Sequence, residues 1–285
     1  MNIINTWQFW VIVYLCSAVM FSQNFRKANR KMKNAGNLTI LLEFFTGIFS
    51  LMMIPVFDIK FTPTKEILLV FLIVICITAI TDRLTIEVRY GVETSTFSML
   101  KRLSTVFMII FGFVFLKEEI VLNKVLGSII IIIANIILAY NNGKFQVNRY
   151  FIMAIIANFF YAVATLLNVC ISDHFNLAFY TWMAVTGPAI LIFILGKHTI
   201  KGLKKEFKLY DKTRFLIASF AWALMLNASI RAYQIGSVIV IASLFCLTPM
   251  LNSIAELIFY GNKERFIHKV LISILLIIGV VLVNL

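Results

Sequence analysis

The sequence predicts an all-α integral membrane protein of ten transmembrane helices, arranged as two inverted five-helix repeats. Three observations predict it. The 285 residues are 61% apolar, include 27 Phe and have a mean hydropathy of +0.94, more apolar surface than a soluble core can hide. Ten apolar segments of roughly membrane-spanning length are separated by polar or basic punctuation. The two halves, 1–141 and 150–285, resemble each other while each holds an odd number of spans, which sets them in opposite orientations across the bilayer.

Span 1 (7–25) follows an N-terminus, MNIINTWQFW, without the basic region and small-residue cleavage site of a signal peptide, so it is expected to stay in the mature chain. Span 2 (37–57) carries Glu43, Thr46, Gly47 and Ser50 at i, i+3, i+4 and i+7, a single polar stripe. Span 3 (66–90) carries Asp82, Arg83, Glu87 and Arg89, with Arg83 and Glu87 one turn apart. In span 4 (93–116), Thr94, Ser98, Lys101 and Thr105 share a face; Glu93 stands at the start and Arg102 lies roughly 100° around the helix. Span 5 (124–141) is almost bare of polar groups, and NNGKFQVNR joins the halves. Span 6 (150–172) holds Asn158, Tyr161 and Asn168, and span 7 (177–197) holds Tyr180, Trp182 and Thr186. Span 8 (215–236) has the stripe Asn227, Arg231, Gln234, and span 9 (238–260) has Thr248, Asn252 and Glu256 at i, i+4 and i+8. Span 10 (270–285) is again nearly bare.

The net charge of +13 reads as an orientation signal, not a nucleic-acid footprint. Seventeen of the 26 Lys and Arg lie between spans 1–2, 5–6, 7–8 and 9–10, against Lys60, Lys65, Lys117 and Lys124 on the other side. The richer side is expected to be cytoplasmic, with both termini outside, and its basic loops suit anionic lipid. Cys16, Cys76, Cys170 and Cys246 fall singly within spans and are expected as small buried hydrophobes. No metal site or cofactor is expected: the chain has no phosphate-binding Gly-rich loop with Lys-Ser/Thr, no His-Glu-x-x-His and no Gly-x-Ser-x-Gly, and His174, His198 and His268 are isolated.

The internal repeat is legible residue by residue. FLKEEIVLNKVLGSIIIIIANIILAY aligns with YGNKERFIHKVLISILLIIGVVLVNL, pairing Glu119 with Glu264, Lys124 with Lys269 and Ser128 with Ser273. Upstream, RYGVETSTFSMLKRLST pairs with RAYQIGSVIVIASLFCLTP through Tyr90 and Tyr233. A Tyr closing the third helix, Gly and small residues, the turn with Glu119 and a Gly127-bearing fifth helix resemble the EamA-like domain of the drug/metabolite transporter superfamily. The second half repeats the pattern with Gly236, Pro249, Glu264 and Gly279. Ser104 departs from it where the family usually carries Pro, Ile272 stands opposite Gly127, and the family is expected to have cytoplasmic termini. The resemblance implies a ten-helix transporter with its substrate cavity between the halves and with spans 5 and 10 peripheral. SMLKRLSTVF in span 4 also resembles the corresponding helix of nucleotide-sugar transporters, which implies an anionic substrate held by Lys101 or Arg102.

At membrane depth five cations, Lys101, Arg102, Arg83, Arg89 and Arg231, meet five carboxylates, Glu43, Asp82, Glu87, Glu93 and Glu256. Charges there are costly, so each needs a partner or a function. Arg83, Glu87, Asp82, Arg89, Arg102 and Glu93 are expected in structural ion pairs. Lys101 and Arg231 are expected to hold anionic groups, Glu43 and Glu256 a cationic group or a coupling proton, and Tyr161, Trp182, Ser98, Asn227 and Asn252 to line the cavity. The expected function is secondary active transport of a small polar charged metabolite, an amino acid or related zwitterion, by alternating access across the plasma membrane. The alternatives are a carrier of phosphorylated or nucleotide-linked solutes and, in another class, a membrane enzyme acting on lipid-linked substrates. Expected partners are a small-molecule substrate and the bilayer; the oligomeric state is open, and a monomer is adequate for one cavity between two repeats.

Overall fold

A computed structural model describes residues 6–28, 31–91, 103–116, 121–139, 149–260, 274–275 and 277–283. The described chain is helical: α1 (Trp7–Ala28), α2 (Ala35–Leu51), a 3-10 turn (Ile54–Val56), α3 (Lys65–Gly91), α4 (Leu103–Val114), α5 (Leu122–Ala139), α6 (Arg149–Ser172), α7 (Leu177–Leu195), α8 (Ile200–Phe207), α9 (Lys212–Ile235), α10 (Val238–Phe245) and α11 (Thr248–Tyr260), with a last helical stretch over 277–283. Four of them, α3, α6, α7 and α9, are long and apolar enough to cross a membrane, and α2, α4, α5 and α10 with α11 are shorter and apolar.

Polar side chains set where the helices begin. Asn34 accepts from Asn37 N at the start of α2 and Asn176 accepts from Phe179 N at the start of α7, both at 3.0 Å. Thr199, Asp211 and Ser237 cap α8, α9 and α10 in the same way. Each such cap satisfies a backbone N–H that no helical carbonyl reaches, which matters most where water is scarce.

Two expectations from the sequence are corrected. Span 9 is not one helix: the chain breaks between Phe245 and Thr248 because Pro249 has no N–H to give the Phe245 carbonyl. The Thr248 hydroxyl donates to that carbonyl instead, at 2.7 Å. The loop between spans 7 and 8 is not merely basic, since it contains α8. The cysteines also differ from expectation. Only Cys246 is buried; Cys16, Cys76 and Cys170 face outward, where an apolar solvent accepts a small hydrophobe as readily as a core does.

The helices pack across the two halves. α1 lies on α9 and α3 lies on α6; α2 lies on α7; α2 also touches α9 while α3 touches α7; α4 meets α6 and α10 while α1 meets α11. Exchanging each first-half helix with its second-half counterpart maps this set of contacts onto itself. At one end the amide of Asn176 donates to the carbonyls of Ile54, Phe57 and Asp58 at 3.0 to 3.1 Å, and Thr62 N donates to His174 O at 2.8 Å. At the other, Lys33 N donates to Glu206 Oε1 at 2.7 Å and Asp211 N to Ala28 O at 3.1 Å. Late in the chain, Gly279 lies against Gly127 of α5, so close that a Cβ on Gly127 would stand 2.6 Å from the Gly279 carbonyl oxygen. Small residues let backbones approach in this way where no hydrophobic force drives helices together.

Candidate functional site

The centre of the molecule holds two kinds of polar group, one satisfied and one not. The satisfied kind is a node joining α2, α7 and α9. Thr181 Oγ1 donates to Asn227 Oδ1 at 3.1 Å, and Asn227 Nδ2 donates to Ser50 Oγ and to Ala223 O, each at 2.9 Å. Ser50 Oγ in turn donates to Ala178 O at 2.9 Å, and Thr46 Oγ1 reaches Ser219 O at 3.3 Å. Asn227, expected on the substrate, spends its amide on holding three helices together. Its burial is complete.

The unsatisfied kind is Glu43, two helical turns before Ser50 on the same stripe of α2. Its side chain is 4% exposed; among the described residues no N–H or hydroxyl donates to either carboxylate oxygen, and its hydrogen-bonding neighbour is the carboxyl of Asp82. The group that acts on it electrostatically is another acid, Asp82 of α3. The sequence placed Asp82 in a structural ion pair and gave Glu43 a cationic group or a coupling proton. The structure sets the two acids together instead, because α2 and α3 bring their polar stripes onto one interior face. Two carboxylates in a dry site repel unless a proton or a cation lies with them. An uncompensated charge at that depth costs roughly 3 kcal/mol by insertion scales.

One aromatic hydroxyl lies near Asp82, and two more lie near it in turn. Tyr161 of α6 lies within electrostatic reach of Asp82 and of Tyr14 on α1, and Tyr233 of α9 within reach of Tyr14, Tyr161 and Cys246. Tyr14 stacks on Phe245 with ring centroids 3.6 Å apart, and Tyr233 meets the same ring edge-on at 5.4 Å. The site is therefore assembled from α1, α2 and α3 of the first half and α6, α9 and α10 of the second. Tyr14 and Tyr233 were not among the expected site residues. Tyr14 had no signal beyond being one hydroxyl in the aromatic run WQFWVIVY, and Tyr233 stood out only as the partner of Tyr90 in the repeat.

The other expected residues are spread along the membrane axis. Arg83 and Glu87 form a half-exposed ion pair at 3.4 Å, a contact worth at most about 1 kcal/mol. Arg83 also lies beside His198, whose ring rests against Gly36 and Gly196; a Cβ at either glycine would come within 2.5 Å of the imidazole. Partial burial and the Arg83 guanidinium hold the His198 pKa below its usual value. Arg231 donates to Gln234 Oε1 at 3.3 Å, and Gln234 donates to Ser172 Oγ at 2.8 Å, near the ends of α9 and α6. Asn252 donates to Ser22 Oγ at 3.2 Å and ties α11 to α1. Trp182 stacks by Phe179 and abuts Gly47 in the contact between α7 and α2. Ser98, Lys101, Arg102 and Glu93 lie outside the described residues, as do the side chains of Arg89 and Glu256. Among the described residues no three His, Cys, Asp or Glu side chains cluster as metal ligands.

Residues 4–140 match the model of the EamA-like transporter family. That match spans just under half of the chain. The match, together with the apolar helices, supports an integral, multi-pass membrane protein of the drug/metabolite transporter type. No curated protein matches the chain. One crystal structure overlays on 97% of this chain and 98% of its own with a TM-score of 0.67 at 11% sequence identity, a likeness of fold alone. The EamA match lies on α1 to α5 and so covers Tyr14, Glu43 and Asp82; Tyr161 and Tyr233 come from the half that it does not span.

Proposed function

We propose that the protein is a secondary active transporter of small metabolites that carry a cationic amino group, amino acids or related zwitterions, and that its two halves form inverted repeats that rock about a central site. The observation that carries this reading is Glu43, buried against the carboxyl of Asp82 with no N–H or hydroxyl donating to it among the described residues, where helices of both halves converge. A cationic substrate or a proton supplies the missing partner. Exchange of one for the other at the same carboxyls couples the two movements, since neither fits while the other is bound. Tyr14, Tyr161 and Tyr233 add ring faces and hydroxyls, which favour an ammonium over a hydrated metal ion. Arg231, already oriented by Gln234, is the described cation available to a substrate carboxylate nearer the other end of α9.

The reading favours cations over phosphorylated solutes because the described centre is acidic, and the family's members are transporters, which leaves a lipid-modifying enzyme without support. Its test is a thermal-shift screen of the purified protein against amino acids, organic amines and sugar phosphates, repeated with Glu43→Gln. Stabilisation by amines or amino acids that disappears in the variant is the expected result. Stabilisation by sugar phosphates alone, unchanged in the variant, overturns the proposal.

A further inference from the structure

The strongest feature that the transport site does not use is the outer face of α8. Lys201, Lys204, Lys205 and Lys208 fall at i, i+3, i+4 and i+7, so all four lie on one side of the helix, where with Ile200 they line a shallow concavity. We propose that this face binds the anionic headgroups of phospholipids in the adjoining leaflet, with α8 lying in the membrane interface as an anchor.

Position comes first. Leu195 ends α7, a helix long and apolar enough to span the bilayer, and Thr199 caps α8 four residues later, which keeps α8 within roughly 15 Å of the end of that span. The orientation of α8 is fixed by its other face. Leu203 and Phe207 pack with Phe45, Phe215 and the core around α2 and α9, and Glu206 is buried and held by Lys33 N and the Tyr210 hydroxyl. The lysine side therefore cannot roll inward.

Chemistry comes second. Four like charges at helical spacing repel one another, and Lys201 sits in the first turn, where the helix dipole also disfavours a cation. Among the described residues none of the four is in an ion pair, and the one acid on α8, Glu206, faces inward. A leaflet of phosphate and other anionic headgroups supplies the missing charge as a surface, matching a stripe rather than a point. Beside the stripe, Ile194, Leu195 and Ile200 are 62%, 77% and 65% exposed. A soluble anion would neutralise the lysines and leave those three side chains in water, whereas a lipid interface takes both the cations and the apolar flank.

The test is hydrogen–deuterium exchange of the full-length protein in nanodiscs of phosphatidylcholine alone and of phosphatidylcholine with phosphatidylglycerol. The expected result is slower exchange over 203–208 in the anionic discs, by roughly an order of magnitude, reversed by high salt. The variant with Lys201, Lys204, Lys205 and Lys208 all changed to Gln should exchange equally in both discs, and the corresponding all-Arg variant should retain the protection. Because these side chains are exposed, the thermal midpoint of the Gln variant in plain phosphatidylcholine is the check that it folds. Equal exchange of the unaltered protein in both discs overturns the proposal. So does protection by soluble polyphosphate or an acidic peptide with none from phosphatidylglycerol, which would assign the face to a soluble partner.

Discussion

His198 couples a titration to the packing of single residues. Its ring rests on Gly36 and Gly196, and both its burial and the charge on Arg83 favour the neutral imidazole in the folded protein. A folded pKa below the ordinary value of about 6.5 means that this stabilisation is present above that value and is lost as the pH falls through the lower folded one. Thermal unfolding followed from about pH 7 to pH 5 should therefore show a loss of stability that His198→Gln flattens; an identical slope in the variant would assign the acid sensitivity elsewhere. Asn227 makes the opposite kind of contribution, independent of pH. Asn227→Ala leaves Thr181 and Ser50 without their shared partner and should cost about 1–3 kcal/mol in unfolding free energy. At this scale the sequence is least informative. Counting charges gives five against five, and that total concealed a carboxyl beside a carboxyl, because a stripe along one helix does not say which stripe of another helix it meets. Asn227 lies on its polar stripe, and its amide is spent on Thr181, Ser50 and the Ala223 carbonyl.

Helices were far more legible than contacts, for physical reasons. Apolar runs preceded by Asn34, Asn176, Asp211 and Ser237 carry their own start signals, so the starts of α2, α7, α9 and α10 fall within a few residues of where hydropathy puts them. The break in span 9 was also written in the sequence, in the pair Thr248–Pro249, but continuous hydropathy outweighed it. α8 was hidden for the opposite reason: with eight residues, three of them lysines, it has no apolar run, and only its tertiary contacts reveal the face that it buries. The alignment set Gly127 opposite Ile272, yet the glycine that it touches is Gly279, since antiparallel helices meet at equal depth and not at equal repeat position. Gly127→Val should drive its side chain into the Gly279 carbonyl and Val283, and destabilise the protein by about 1–3 kcal/mol in thermal or denaturant unfolding. A neutral outcome would mean that this helix pair is not held at contact distance.

For the molecule as a whole, the pairing of α1 with α9 and α3 with α6 about the α2–α7 contact supports two halves built on one plan. The reciprocal clamps at the two ends, Asn176 on the turn after α2 and Glu206 on the turn before it, support it further. Self-similarity in the sequence predicts that plan because it concerns whole segments, which survive divergence that erases single contacts. The proposed exchange needs a site that takes either a proton or a cation, and the buried carboxyl of Glu43 with that of Asp82 beside it meets that requirement. The decisive measurement is uptake of labelled amino acids and amines into proteoliposomes by the unaltered protein and by Glu43→Gln, with the thermal midpoints of both recorded. The account predicts a variant that folds as well as or better than the original, because a buried charge has been removed, and that moves none of the substrate the original moves. Transport by Glu43→Gln at the original rate would contradict it.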